Sequence, residues 1–330
     1  MNIPSRIEAF FSLGQDYLDP KKESFLEVVT NANNQNSWFL PEFILQAAAQ
    51  IRTEFLPKES LTDWVNLYSK LSNENTGIKV GVVMAGNIPM VGFHDLLSIL
   101  MAGHTAVVKL SSKDTVLMQY LIESLIKINT EFKELIIVQE QLKNCDAYIA
   151  TGGNNAGKHF EQYFGKYPHI IRKNKTSIAV LDGAETTQEL ALLADDMMLY
   201  FGLGCRNVTQ LYVPEGYDFI PLLEALKKYS FLLDQHKYKH NYDYQLALLM
   251  MSRQMYMDAG GILLSENPVP FTAISHVHYL FYSPGTNPKW EEQDIQAVVG
   301  HQYLPFGSLQ KPTLSQYADG VDSLAFLSSL

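Results

Sequence analysis

Cys205 is one of two cysteines in the 330-residue chain, and its surroundings favour thiol chemistry. Two glycines stand just before it, Arg206 follows, and the strand-like run 210–213 leads away. The glycines permit backbone conformations that side chains forbid, and the adjacent positive charge would favour a thiolate. Cys205 is therefore a candidate nucleophile. The alternative is a small thiol packed beneath a turn, because cysteines outside disulfides are often buried.

A second segment has the composition of an anion site. It contains Thr151, Gly152 and Gly153 between a predicted strand and a predicted helix, where backbone N–H groups attract phosphate. The segment lacks G-x-G-x-x-G, and His159 stands where the phosphate-loop pattern requires serine or threonine. Its position predicts a cofactor-binding turn, and a tight strand-to-helix turn is the structural alternative.

Two more polar residues follow predicted strands. Asn87 comes shortly after the first strand, and its amide could donate to a developing oxyanion, although asparagine is also a common helix cap. Lys109 ends an apolar strand and precedes Ser111 and Ser112, an arrangement compatible with a ribose or phosphate contact. For Lys109 the alternative is an ordinary solvated lysine.

The elements that would position these residues begin at residue 77, where short apolar runs alternate with helical patterns. This alternation is typical of parallel strands joined by crossover helices. Strands are predicted at 79–84, 105–109, 135–138 and 147–150. Because the carboxyl ends of such strands share one sheet edge, Asn87, Lys109 and the Thr151 turn are expected there together.

A second α/β unit is predicted downstream. Its strands are expected at 177–181, 210–213, 271–274 and 278–282, and its helices at 187–200, 219–233 and 241–258. The predicted organisation is an N-terminal helical segment (1–76), a nucleotide-binding α/β domain (77–175), a catalytic α/β domain carrying the cysteine (176–303) and a C-terminal tail (304–330).

The charge and the apolar runs of the chain limit the classes of partner that we expect. A formal charge of −10 disfavours nucleic acid and anionic membrane surfaces. No run reaches the roughly 18 apolar residues of a spanning helix, and the N-terminus does not resemble a secretion signal. The expectation is a cytoplasmic protein with both thiols reduced and no membrane span.

Taken in order, these segments resemble the aldehyde dehydrogenase superfamily, and most closely its luminescence-type fatty-acyl reductase branch, the LuxC acyl-CoA reductases. The similarity extends over roughly residues 77–330. Gly86–Pro89 resembles the Asn-x-Pro segment that supplies the family's oxyanion asparagine. Leu100–Ser112 resembles the segment whose lysine contacts the adenosine ribose, and Tyr148–Gly153 resembles the turn beside the pyrophosphate. Phe201–Asn207 resembles the nucleophile loop.

Departures from the superfamily pattern narrow the expected reaction. At Ile171–Lys175 the chain lacks the glutamate that activates hydrolytic water in ordinary aldehyde dehydrogenases, which disfavours oxidation to a free acid. Ser112 replaces the carboxylate that holds a ribose 2′-hydroxyl, which favours NADPH over NADH. The segments Tyr303–Pro312 and Tyr317–Asp322 look like those of the acyl-CoA reductase branch.

The resemblance implies an α/β, aldehyde-dehydrogenase-like fold, with a doubly wound nucleotide-binding domain and a second α/β catalytic domain. It implies NADPH-dependent reduction of an acyl thioester, such as long-chain acyl-CoA, to an aldehyde through a Cys205 acyl-enzyme. Asn87 would hold the oxyanion, and Lys109, Ser112, Thr151, Gly152 and Gly153 would bind the cofactor. Two alternatives stay open: a cofactor-independent acyltransferase or thioesterase that uses Cys205, and a catalytically idle scaffold subunit.

The remaining candidates favour structural roles. Cys145 has no flanking glycine or adjacent base and is interpreted as structural. His236, His240, His276 and His278 lack a carboxylate or thiol partner at a ligand spacing, so no metal site is predicted. A homodimer is the default expectation for assembly.

Overall fold

The structure of the protein is a computed structural model that describes residues 1–71, 74–283 and 285–330, leaving aside the side chains of Asn154 and Asn155. The chain forms two compact units. The first comprises Met1–Asn174 together with Pro312–Leu330, and the second comprises Lys175–Lys311. The four-segment division expected from the sequence remains a prediction about domains.

A five-stranded parallel sheet forms the centre of the first unit. Its strands are β1 (Lys79–Val83), β2 (Thr105–Lys109), β3 (Ile136–Val138), β4 (Ala147–Thr151) and β5 (His169–Arg172), in the spatial order β3-β2-β1-β4-β5. The order changes direction at β1, and right-handed crossovers on the two sides of such a point lead to opposite faces of the sheet. This is the doubly wound arrangement predicted from the sequence, and ligands of such sheets bind where the order reverses.

Helices precede and connect these strands. They are α1 (Ile3–Asp16), α2 (Glu23–Gln35), α3 (Pro41–Gln50, continued by a π-helical turn Ile51–Phe55), α4 (Lys58–Asn66), α5 (Phe93–Met101), α6 (Thr115–Ile128), α7 (Phe132–Leu135) and α8 (Asn154–Phe164). α1 packs against α6, α5 and α4, and α2 packs against α6. The N-terminal helices therefore pack onto the helices that connect the strands of the first sheet.

The second unit is built on a six-stranded sheet. Its strands are β6 (Thr176–Val180), β7 (Val208–Pro214), β8 (Tyr256–Asp258), β9 (Leu263–Glu266), β10 (His276–Tyr282) and β11 (Ile295–Val299), in the order β11-β6-β7-β10-β9-β8. Only the edge pair β8 and β9 is antiparallel among the described strand pairs. The helices are α9 (Thr187–Met198), α10 (Ile220–Leu226, continued by a 3-10 segment Lys227–Asp234) and α11 (His236–Ser252).

Two element predictions in this unit are wrong. The helix expected over 241–258 ends at Ser252, where Arg253 takes a left-handed cap with φ 55°, and β8 follows. Arg253 and Gln254 are polar, but the apolar run Met255–Met257 follows them within the predicted helix, so the hydrophobic pattern does not mark the change from helix to strand. Residues 271–274 form no strand, and β9 just before them was not predicted.

The C-terminal segment returns to the first unit and ends in α12 (Ser323–Ser328). Trp64 Nε1 donates to the Tyr317 hydroxyl at 2.7 Å, and Tyr68 donates to Asp322 Oδ2 at 2.7 Å. Asp322 also caps α12 by accepting from the Ala325 N–H at 2.8 Å. Among the described residues, no helix combines the length and apolar character that crossing a membrane requires.

Candidate active site

Three candidate segments lie at the carboxyl edge of the first sheet. β1 lies between β2 and β4, and its last residue, Val83, is level with Lys109 on one side and Ala150 on the other. Lys109 is exposed at the end of β2, and Thr151 ends β4. Asn87 lies in the loop that follows β1. Parallel pairing therefore brings Asn87, Lys109 and the Thr151 turn to the edge where the strand order reverses.

The turn after β4 is tightly packed at one glycine and open at the next. A Cβ added to Gly152 would lie 3.0 Å from Ala156 Cβ and from a Phe160 ring carbon, so these side chains would have to shift to accommodate it. A Cβ on Gly153 would meet no atom within 4 Å. Gly153 precedes α8 without a side-chain cap. Gly153 therefore leaves open space directly before the start of a helix, the kind of position where backbone N–H groups attract an anion such as a dinucleotide pyrophosphate.

Arg172, which sequence reasoning did not select, supports this turn. It ends β5 beside Thr151, and its Nη1 donates to Asp95 Oδ2 at 2.6 Å and to Thr151 Oγ1 at 3.3 Å. Both charged side chains are buried, so the ion pair is largely removed from water. The sequence feature that could have identified Arg172 is its position as a charged residue at the end of an apolar run. Arg172 therefore fixes the threonine of the candidate cofactor turn.

The loops after β1 and β2 pack against each other. A Cβ on Gly86 would collide with the Ser111 side chain, so glycine permits this close approach. Asp114 is buried below the same region, and its Oδ2 accepts the Met90 N–H at 2.7 Å. Ser112 is exposed at the tip of the second loop. The Asn87 loop is thus supported by the loop that carries the predicted cofactor residue Ser112.

In the second unit, Cys205 follows a left-handed backbone turn. Tyr200, Phe201 and Gly202 have φ values of 56°, 59° and 71°. The first two are large non-glycine residues, for which this region is strained, and such strain persists only where the surroundings enforce it. The Cys205 side chain is half-buried, and its carbonyl accepts from Ser177 Oγ at 3.1 Å. The turn therefore fixes the thiol at the junction between α9 and β7.

Asn207, which was not selected from the sequence, organises this turn. The Asn207 side chain is fully buried, and its Oδ1 accepts from the Gly204 N–H at 2.8 Å. Its Nδ2 donates to the carbonyls of Asp196 and Leu199 at 3.0 and 2.9 Å. One amide side chain therefore connects the end of α9 to both sides of Cys205.

The two cysteines have different electrostatic surroundings. Burial lowers the pKa of the Arg206 guanidinium, while interaction with Cys205 acts in the opposite direction. A guanidinium coupled to the thiol in this way favours the thiolate. Cys145, in contrast, is 4% exposed, and burial raises the pKa of its thiol. This difference favours Cys205 as the reactive thiol.

A buried carboxyl group joins α9 to a distant loop of the same unit. Asp196 Oδ2 accepts from the Gly307 N–H at 2.6 Å, and Oδ1 accepts from the Leu309 N–H at 3.1 Å. Burial raises the pKa of Asp196 from 3.8 to about 7, despite these two donors. Since the Asp196 carbonyl also accepts from Asn207, the segment around Gly307 is linked to the cysteine turn.

Two histidines of β10 have polar protein partners. His276 Nε2 lies 2.8 Å from Ser265 Oγ, and His278 Nδ1 lies 2.6 Å from the Val269 carbonyl. In the same unit, Asp182, Glu185 and His301 place potential ligand atoms within 4.8 Å of one another, a grouping not anticipated from the sequence. His301 Nδ1 lies 2.8 Å from Asp182 Oδ2, so an ion pair accounts for this surface cluster.

The doubly wound sheet and the second α/β unit with its cysteine turn define an aldehyde dehydrogenase-like class of protein. The aldehyde dehydrogenase of Mycobacterium tuberculosis, solved with NAD+, is similar with a TM-score of 0.63 and 12% identity, over 86% of this chain and 69% of that one. At this identity the likeness establishes the fold alone. A family model described as acyl-CoA reductase (LuxC) matches residues 30–236. The chain belongs to the acyl-CoA reductase (LuxC) family.

Two curated proteins are similar in sequence. Long-chain acyl-protein thioester reductase 2 of Photobacterium leiognathi is 25% identical over 191 residues, which cover 52% of this chain and 40% of that protein. Long-chain acyl-protein thioester reductase of Aliivibrio fischeri is 22% identical over 146 residues, which cover 39% of this chain and 30% of that protein. The chain thus matches less than half the length of these relatives. The expected resemblance and fold class are confirmed, and the roles of the site residues remain predictions.

Proposed function

We propose that the protein reduces an acyl thioester to an aldehyde through an acyl-enzyme on Cys205, with NADPH as the preferred reductant. The cysteine turn carries this proposal: a half-buried thiol couples to Arg206 in a strained backbone that Asn207 fixes. Activated cysteines in enzymes have such electropositive, partly accessible surroundings. The family to which the chain belongs, and the names of its relatives, support thioester reduction.

In the first step, the Cys205 thiolate attacks the acyl carbonyl. A new carbon–sulfur bond forms to the protein, the bond to the donor sulfur breaks, and the donor leaves as a thiol after taking up one proton. The Asn87 amide and the Cys205 N–H donate to the oxyanion that develops during the attack. Loss of one such donor typically costs about 3 kcal/mol of barrier, on the order of a hundredfold in rate.

The residues at the edge of the first sheet fit a dinucleotide. Gly153 leaves the start of α8 open to the pyrophosphate, Thr151 is held by Arg172, and Lys109 is an exposed cation for the ribose region. Ser112 is neutral and exposed, so it does not repel a 2′-phosphate. Bound NADPH would supply the hydride that, with one proton, releases the acyl group from Cys205 as an aldehyde.

The end of β5 supports reduction rather than hydrolytic oxidation. Ile171–Lys175 contains no carboxylate that could activate water, and Arg172 in this stretch is held by Asp95 and Thr151. The acyl-enzyme would therefore persist until it is reduced. The donor could be a CoA or protein thioester, since the curated relatives are named for an acyl-protein thioester. We further propose that the protein acts as a homodimer, which light scattering after gel filtration would test.

The decisive experiment compares the wild type with Cys205→Ala and Cys145→Ala, using myristoyl-CoA and the absorbance of reduced nicotinamide. Wild type and Cys145→Ala should oxidise NADPH at similar rates, whereas Cys205→Ala should bind NADPH but not oxidise it. Full activity of Cys205→Ala would overturn the mechanism.

Release of CoA thiol without cofactor separates the competing functions. A reductase should release about one thiol per chain and then stop, because the acyl-enzyme accumulates. Continuous release without NADPH would identify an acyltransferase or thioesterase. The absence of both thiol release and NADPH oxidation, with CoA thioesters and with protein thioesters, would favour a scaffold subunit.

A further inference from the structure

We propose that Asp114 is a positioning residue that fixes the Asn87 loop in the geometry needed for oxyanion stabilisation. This inference rests on the proposed function of Asn87, and it assigns the support of that residue to a buried carboxyl in the neighbouring loop. Asp114 touches no reacting atom in the proposed reaction, so its effect would be transmitted through the loop backbone.

Asp114 does not perform the local task expected from its position. It is the N-cap residue of α6, where an aspartate usually accepts an N–H from the first turn of its own helix. Its side chain makes no such bond, and Oδ2 instead accepts the Met90 N–H at 2.7 Å. The side chain is 2% exposed, so this bond is shielded from water. Asp114 therefore stabilises the loop after β1 instead of its own helix.

The residue that Asp114 holds has a strained backbone. Met90 has φ 58°, in the left-handed region that non-glycine residues seldom adopt. The Asp114 bond constrains the Met90 amide, and the Met90 carbonyl accepts from Phe93 N–H at 3.0 Å at the start of α5. Asn87 lies three residues before Met90, so the conformation at Met90 determines the direction of the loop that carries Asn87.

The residue before Asn87 in the chain contacts the turn that Ser111 and Asp114 form. A Cβ on Gly86 would lie 3.3 Å from Asp114 Cβ, and it would collide with Ser111. The Asp114 N–H donates to the Ser111 carbonyl at 3.0 Å, which makes these two residues one compact turn. This turn therefore contacts the chain at Gly86, just before Asn87, and accepts a hydrogen bond from Met90, shortly after it.

The surroundings of Asp114 favour an uncharged carboxyl group. Burial raises the pKa of Asp114 to about 8, against the opposing effect of the Met90 N–H. Its Oδ1 has no hydrogen-bond partner among the described residues. Asparagine has the same shape, is neutral and retains an acceptor oxygen for Met90. Asp114→Asn is therefore the conservative variant, and Asp114→Ala removes the bond.

A double-mutant cycle tests whether Asp114 acts through Asn87. Asp114→Ala should lower kcat about 10- to 100-fold with little change in KM for myristoyl-CoA, because misplacement of a catalytic group affects the chemical step. Asp114→Asn should restore most of the activity. In an Asn87→Ala background, Asp114→Ala should cost less than about threefold, because residues that act as a unit are strongly non-additive. Equal losses in both backgrounds would overturn the proposal.

A matched control is Asp146→Ala. Like Asp114, the exposed Asp146 accepts a backbone N–H with its carboxylate, but this donor is Lys79, 2.8 Å away at the start of β1, far from the Asn87 loop that follows the strand. This variant should retain wild-type kcat. If Asp146→Ala lost as much kcat as Asp114→Ala, the effect would be a general loosening around β1, and the proposal would be rejected.

Hydrogen exchange of residues 85–92 gives a readout that does not depend on activity. Exchange there should accelerate in Asp114→Ala and not in Asp114→Asn, while Thr151–Gly153 remains unchanged in both. Unchanged exchange at 85–92 would reject Asp114 as the anchor, whatever the activity. If the wild type reduces no thioester but the loop responds as expected, the proposed function fails while the anchoring role of Asp114 stands.

Discussion

Gly204 and Asn207 bond reciprocally across Cys205. The Gly204 N–H donates to Asn207 Oδ1 at 2.8 Å, and the Asn207 N–H donates to the Gly204 carbonyl at 3.0 Å. These two bonds enclose the candidate nucleophile in a four-residue turn. Because Asn207 is fully buried, its side chain cannot exchange these partners for water. The position of Cys205 therefore depends on a residue that takes no part in the chemistry.

Asn207→Ala should lower both stability and turnover. The variant leaves the Gly204 N–H and the carbonyls of Asp196 and Leu199 without their partner, and unsatisfied buried groups cost about 1–3 kcal/mol each. We expect about 3 kcal/mol less free energy of unfolding after relaxation, and acyl-enzyme formation at least roughly tenfold slower. Urea unfolding and CoA release measure the two effects.

Asn241→Ala is the control, because its Nδ2 donates to a carbonyl of its own helix, that of Lys237, at an exposed site. It should stay within about 0.5 kcal/mol of wild type. Equal stability and turnover in the two variants would mean that Asn207 does not organise the turn.

Ser112→Glu should shift cofactor preference from NADPH towards NADH. A carboxylate at this exposed position would repel a 2′-phosphate and could accept from a ribose 2′-hydroxyl. The ratio of kcat/KM for NADPH over NADH should fall by about tenfold or more, which corresponds to about 1.4 kcal/mol. Ser112→Gln has the same shape without the charge and should keep the NADPH preference. An unchanged ratio in Ser112→Glu would remove Ser112 from the cofactor site.

The sequence was sufficient to place Asn87, Lys109 and Thr151 at one sheet edge. Each follows or ends an apolar run of a parallel sheet, and the topology of such sheets brings the carboxyl ends together. The supporting residues could not be found in this way. Asp95 and Arg172 are 77 positions apart, and Asp196 and Gly307 are 111 positions apart. Such partners meet only through tertiary packing, which no local pattern encodes.

The errors in secondary structure have a similar origin. After Ser252 come the polar Arg253 and Gln254 and then the apolar run Met255–Met257, so the hydrophobic pattern alone does not reveal that β8 begins at Tyr256. The deciding feature is the left-handed conformation of Arg253, which allows its N–H to reach the Met250 carbonyl and closes the helix. A left-handed conformation at a non-glycine residue is set by tertiary packing, so the sequence does not predict it in the way that a glycine would.

Asp196 should make stability depend on pH between about 4 and 7. Its folded-state pKa of about 7 lies above its ordinary 3.8, so the folded state binds the proton more tightly. The resulting stabilisation is complete below pH 3.8 and is lost as pH rises through 7. The stability of the wild type relative to Asp196→Asn should therefore decrease over this range.

Urea unfolding of both proteins at several pH values measures this difference. His276, whose pKa burial lowers to about 4, has the opposite dependence but is common to both and cancels. A constant difference between wild type and Asp196→Asn would contradict the prediction.

The buried pair Arg172 and Asp95 allows stability and cofactor binding to be separated. Arg172→Met leaves the Asp95 carboxylate buried without its cation and should cost about 3–5 kcal/mol. Adding Asp95→Leu removes that charge, and replacing a whole buried pair by apolar groups is often neutral, so the double variant should regain most of the stability. Neither variant restores the Arg172 donor to Thr151.

NADPH affinity, measured by nicotinamide fluorescence, should therefore fall in both the single and the double variant, while thermal unfolding recovers only in the double variant. The exposed pair Lys227 and Glu224 provides the control, since Lys227→Met should change stability by less than about 1 kcal/mol and leave affinity unchanged. Wild-type affinity in the stable double variant would mean that Arg172 serves the fold alone. Weakened affinity in that stable variant would support a role of the Arg172 donor at the Thr151 turn, because the general cost of the unpaired charge is then absent.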